Sequence, residues 1–90
     1  MKNAIQHFTE TKEGLQHQAE GRYTEAIDCF TKVLSVDPRF FTKSQFAAIY
    51  VYRGISKMDI EDKDGAIKDF EVAMEICPEY REVFLKNISC

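Results

Sequence analysis

The sequence predicts an all-α protein: two stacked antiparallel helix hairpins followed by a terminal capping helix. Three observations lead there. The chain repeats itself at an offset of 40 residues. Its apolar residues recur at spacings of three and four, the mark of helices with one buried face. Its glycines and prolines fall where such helices would turn or stop.

The repeat carries most of the argument. Residues 14–38 read GLQHQAEGRYTEAIDCFTKVLSVDP and residues 54–78 read GISKMDIEDKDGAIKDFEVAMEICP. The offset superposes Gly14 on Gly54, Ala26 on Ala66, Ile27 on Ile67, Phe30 on Phe70 and Pro38 on Pro78. Val33 with Ala73, Leu34 with Met74, Val36 with Ile76 and Phe40 with Tyr80 are like-for-like. A glycine inside a helix costs about 1 kcal/mol against alanine. We therefore expect Gly14 and Gly54 to mark a close helix approach, answered by the small residues Ala26 and Ala66.

Five helices follow in order. The first runs from about Asn3 to Glu20 and ends at Gly21, a left-handed terminator. The second opens at Thr24 as N-cap and ends near Val36. The third opens at Thr42, where Thr42-Lys43-Ser44-Gln45 fits a capping box, and runs to about Asp59. The fourth covers Asp64 to about Ile76, ahead of Pro78, which disfavours helix at the residue before it. The fifth covers about Glu79 to Ser89. No segment alternates as a strand would. We read residues 1–90 as one unit: a first hairpin over about 3–38, a second over about 42–78 and the terminal helix over 79–89.

Composition narrows the function classes. The 90 residues are 44% apolar and 30% charged, with net charge −3. Residues 1–45 hold six basic and six acidic side chains, and residues 46–90 hold six and nine. That balance gives no electrostatic footprint for nucleic acid. Cys29, Cys77 and Cys90 form no framework of pairs, which fits a reducing compartment. No signal-peptide shape and no membrane-length apolar run is present, so we expect a cytoplasmic protein with no membrane insertion.

Residues 13–38, with Gly14, turn Gly21 followed by Tyr23, then Ala26, Phe30 and Pro38 in order, resemble a tetratricopeptide repeat. Residues 54–78 resemble it through Gly54, Ala66, Phe70, Ala73 and Pro78, with Glu61 in place of the turn glycine and Lys63 in place of the aromatic. The resemblance implies a right-handed superhelical stack of hairpins. Family repeats are usually about 34 residues long. The six additional residues here fall around Arg39 to Ser44, and we expect them to lengthen the third helix by up to about 9 Å. Polar Glu10, Glu13 and His17 on the first helix suit a leading repeat with nothing packed before it.

The resemblance also implies a function: binding a peptide or helix of another protein in a concave groove lined by the first helix of each hairpin. Mapped onto this sequence, the groove would expose Phe8, Thr11, Leu15 and Gln18, then Ala48, Val51, Ile55 and Met58, then Glu82, Leu85 and Ser89. Val51, Ile55 and Met58 share a helical face on spacing alone. An apolar stripe is as readily core as binding surface. One subgroup of the family grips acidic chaperone tails with a carboxylate clamp of lysine, asparagine and arginine. Its places hold Thr11, Leu15, Tyr52, Leu85 and Ser89 here, and none matches. Without cationic donors to hold a carboxylate, the expected ligand is apolar or amphipathic. A competing reading is structural: Val83, Leu85 and Ile88 on the last helix would form an assembly face for a homo-oligomer or further repeats.

Chemistry has little support. His7 and His17 lie ten residues apart, about 15 Å in rise, and cannot share a metal. Counted from Asp59, the acidic run lacks the glycine and glutamate of a calcium loop, with Asp64 and Phe70 in those places. No catalytic constellation or phosphate loop is present. We expect no enzyme activity, no metal and no cofactor.

Overall fold

The computed structural model describes the backbone of residues 4–88 and the side chains of residues 9–86 apart from Pro38. The described chain is all-helical. Helix α1 spans Ala4–Ala19, α2 Tyr23–Leu34, α3 Lys43–Asp59, α4 Lys63–Ile76 and α5 Arg81–Ile88. Single 3₁₀ turns at Pro38–Phe40 and Pro78–Tyr80 precede α3 and α5. Helices α1 and α2 pack as one hairpin and α3 and α4 as another; α2 packs on α3, and α5 docks on α4. The expected starts and ends at Asn3 and Ser89 lie outside the described residues.

Local chemistry sets the helix ends. Thr42 caps α3 with the full box: its hydroxyl accepts from Gln45 N at 3.1 Å, and Thr42 N donates to Gln45 Oε1 at 2.9 Å. Gly21 takes φ +78°, and Arg22 N closes the turn on His17 O at 2.8 Å. Helical bonding resumes at once, with Ala26 N on Arg22 O at 3.0 Å. Arg22 therefore stands at the N-cap and Thr24, the expected cap, is already inside α2. Helix α4 opens at Lys63, one residue ahead of the expected start at Asp64, and Asp62 caps it, its carboxylate accepting from Gly65 N at 3.1 Å.

The second hairpin turn repeats the first: Asp62 N donates to Lys57 O at 2.8 Å. The left-handed residue is here Glu61, with φ +66°. A side chain in that region costs about 1–2 kcal/mol, part of which glycine returns as chain entropy. Glu61→Gly is expected to stabilise the protein by about 0.5–1 kcal/mol, read as a rise of a few degrees in Tm. No rise on thermal unfolding would mean that the turn relaxes without strain.

The core lies between the helices in two clusters. Ala26, Phe30 and Val33 of α2 meet Ile49 of α3, with Leu34, Phe41 and Tyr52 against them. Ala47 and Val51 of α3 meet Ala66, Phe70 and Ala73 of α4 and Cys77, with Tyr80, Val83 and Phe84 closing the end. The helical glycines serve this packing. A Cβ on Gly14 would stand 2.6 Å from Phe30 Cε1, and one on Gly54 2.9 Å from Phe70 Cε1. Each glycine thus receives an aromatic ring, where the sequence suggested a small alanine.

The insertion does not go wholly into α3. That helix begins only at Lys43. The rest forms the Pro38–Phe40 turn and its link to Thr42. Asp37 holds the turn: its carboxylate accepts from Arg39 N at 2.9 Å and Arg39 Nε at 2.8 Å. The bonds from Arg39 keep the Asp37 carboxyl below the ordinary range.

One ionic cluster ties three helices. Asp69 of α4 is 3% exposed. Arg53 of α3 grips it with two bonds, Nε to Oδ2 at 2.9 Å and Nη2 to Oδ1 at 2.6 Å. Lys57 Nζ lies 3.2 Å from Asp69 Oδ2. Arg53 Nη1 also reaches Thr31 Oγ1 of α2 at 3.2 Å, and its guanidinium stands 5.5 Å from the Tyr50 ring centre.

Candidate functional site: an uncharged groove between the hairpins

A concavity of about 420 Å³ opens between α1, α3 and the Pro38–Phe40 turn. Its lining is Thr11 and Leu15 from α1, Gln45, Ala48, Ile49 and Tyr52 from α3, and Phe40 and Phe41 from the turn and link. None of the eight is charged. Leu15 is 36% exposed and Phe40 52%, so apolar surface faces the opening.

The fold explains the positions. On α3 the face carrying Ala47, Val51 and Gly54 is buried toward α4. Gln45, Ala48 and Tyr52 stand on another side of the same helix, at spacings of three and four. The Phe41 and Tyr52 rings pack on the first cluster, and Tyr52 lies 5.8 Å from Phe30 between ring centres. Core packing thereby fixes one wall of the groove.

Of the residues expected in a groove, Thr11, Leu15 and Ala48 come together here. Val51 does not: it is 4% exposed and belongs to the second cluster, because its spacing from Ala47 and Gly54 turns it onto α4. Ile55 and Met58 pack against that cluster as well. Gln18 is occupied otherwise, its Nε2 donating to Tyr52 O at 2.9 Å and Ser56 Oγ at 2.8 Å. Leu85 is 48% exposed on α5, away from this lining. Phe8 and Ser89 lie outside the described side chains. Of the expected assembly face, Val83 packs on the core beside Phe84, whose ring meets Phe70 edge-on at 6.0 Å. Ile88 lies outside the described side chains.

Sequence reasoning missed Phe40, Phe41, Gln45, Ile49 and Tyr52 as lining. The available signal was the Phe40-Phe41 pair inside the insertion. Tyr80, the counterpart of Phe40, packs on the core, and its hydroxyl donates to Ser44 O at 3.5 Å. Phe40 keeps half its surface open.

The remaining chemistry is subdued. Burial, with Glu13 nearby, pushes the Cys29 thiol up. The Cys77 thiol donates to Glu79 Oε2 at 3.0 Å, and that bond raises it too. Among the described residues no cluster of histidine, cysteine, aspartate or glutamate suits a metal, and no helix is long and apolar enough to cross a membrane.

Comparison with known proteins adds a limited relationship. No protein-family model matches the chain, and no solved structure matches it. It is 29% identical over 79 residues to the DnaJ homolog subfamily C member 7 homolog of Dictyostelium discoideum. The match covers 88% of this chain and 14% of that protein. The chain therefore spans a small part of the relative's length.

Proposed function

We propose that this chain is a non-catalytic protein-interaction module of the tetratricopeptide type. Its ligand is an apolar or amphipathic peptide or helix of another protein, held in the groove between α1 and α3. The observation that supports this most is the lining: eight residues, none charged, on a protein whose sequence is 30% charged. A charged ligand group would lose its hydration there without gaining a partner, whereas an apolar side chain gains from leaving water.

The cellular setting we propose takes its cue from the relative's name, a DnaJ homologue. In that setting the module acts without gripping an acidic chaperone tail. Thr11, Leu15, Tyr52 and Leu85 stand where a carboxylate clamp would need cations and amides. Arg53 is the near substitute by position, and it is committed to Asp69.

The test compares wild type with Leu15→Asp in affinity capture from native lysate, with circular dichroism to verify folding. Leu15 is partly exposed, so the helix tolerates the change. Placing a carboxylate where a partner's apolar side chain should sit is expected to weaken capture at least about tenfold, a loss of roughly 1.4 kcal/mol or more. Equal capture by a folded Leu15→Asp protein would sink the groove reading.

A further inference from the structure

Gln18 and Met58 are counterparts at the 40-residue offset, yet they do different things. Met58 packs on the second cluster. Gln18 crosses from α1 to α3 and spends both hydrogens of its Nε2 there, one on Tyr52 O at 2.9 Å and one on Ser56 Oγ at 2.8 Å. Ser56 is completely buried, so water does not compete for that bond. The Tyr52 carbonyl lies inside α3, where the helix already uses one lone pair; Gln18 takes the other. Direct packing between α1 and α3 is sparse, and α1 leans mainly on α2.

Tyr52 links this bond to the groove. Its backbone oxygen receives Gln18, while its ring forms part of the groove wall and packs against Phe30 at 5.8 Å. We infer that Gln18 is the positioning residue of the groove: the hairpins pack through α2 and α3, and its amide sets where α1 sits against the Tyr52 wall. The functional meaning rests on the groove reading given above; the structural effect does not. Gln18 touches no ligand in this account and acts through Tyr52 and Ser56. A donor is required, because two oxygens face it. Thioether sulfur has no hydrogen to give, so the residue the repeat uses at the counterpart position cannot serve here.

The test is Gln18→Met, which keeps the length of the side chain and its helix propensity. Backbone amide and methyl NMR shifts of the free protein are the readout, with urea unfolding alongside. Shifts are expected at Leu15, Ala48, Ile49 and the Tyr52 amide, while Phe70 and Ala73 in the second hairpin keep theirs. Ser56→Ala removes one acceptor and leaves Tyr52 O in place, so it should move the same groove signals by less. It also carries the test alone if Gln18→Met does not fold. Shifts confined to α1 around position 18, or spread evenly over both hairpins, overturn the inference. No ligand enters these measurements. Unmoved groove signals with capture still lost in Leu15→Asp would remove the role of Gln18 and leave the groove standing. Moved signals with capture retained in Leu15→Asp would do the reverse.

Discussion

Phe70→Ala is expected to cost about 4 kcal/mol in urea unfolding followed by circular dichroism. The ring is 1% exposed and stands over Gly54, with Phe84 of α5 edge-on at 6.0 Å. Truncation removes the transfer energy of the ring and leaves a slot that backbone on one side cannot fill, since Gly54 has no side chain to move. A domain of this size holds roughly 5–10 kcal/mol in total, so the variant should be close to unfolding. Phe70→Leu refills part of the slot and should lose about 1–2 kcal/mol. The docking of α5 should weaken in step, because Phe84 loses its aromatic partner. A loss below about 1 kcal/mol for Phe70→Ala would contradict the ring-on-glycine packing.

Asp69→Ala is expected to cost about 3 kcal/mol, near the lower end for breaking a buried ion pair. The anion is buried, while the side chains of Arg53 and Lys57 are 17% and 19% exposed. Removing Asp69 leaves two cations side by side, but both can turn partly toward water, which limits the loss. Arg53 also loses the partner that orients it toward Thr31, so the α2 contact should loosen. Urea unfolding of Asp69→Ala and Arg53→Met, with the double variant, gives the coupling directly. The double variant should recover part of the loss because it leaves less charge stranded. Asp37 with Arg39 offers the contrast. Arg39 is almost fully exposed there, so solvent screens the pair and its removal should barely move the midpoint.

How much of this was legible in the sequence depends on the range of the interaction. The Thr42–Gln45 box and the Gly21 turn were readable because each is closed by residues within a few positions of one another. The cap of α2 was misplaced by two residues, at Thr24 in place of Arg22, since turn geometry, not cap preference, decides where helical bonding restarts. Alternation at three and four found the core of α2 and α4. It could not divide α3, which is buried toward α4, packed on α2 and open to the groove at once. Val51 and Ala48 lie three residues apart and end on different sides for that reason. The Arg53–Asp69 pair was invisible because nothing local marks which of many charges will be buried. Phe40 and Phe41 line the groove through the path of the insertion, which a repeat offset cannot supply.

The rings over Gly14 and Gly54 have a consequence for how such a protein can change over generations. Any larger residue at either position strikes a buried phenyl group, so these two sites and their rings must vary together or not at all. Leu15 and Ala48 take no part in either contact. Descendants of this sequence can exchange those two and acquire a new partner while the scaffold beneath stays fixed.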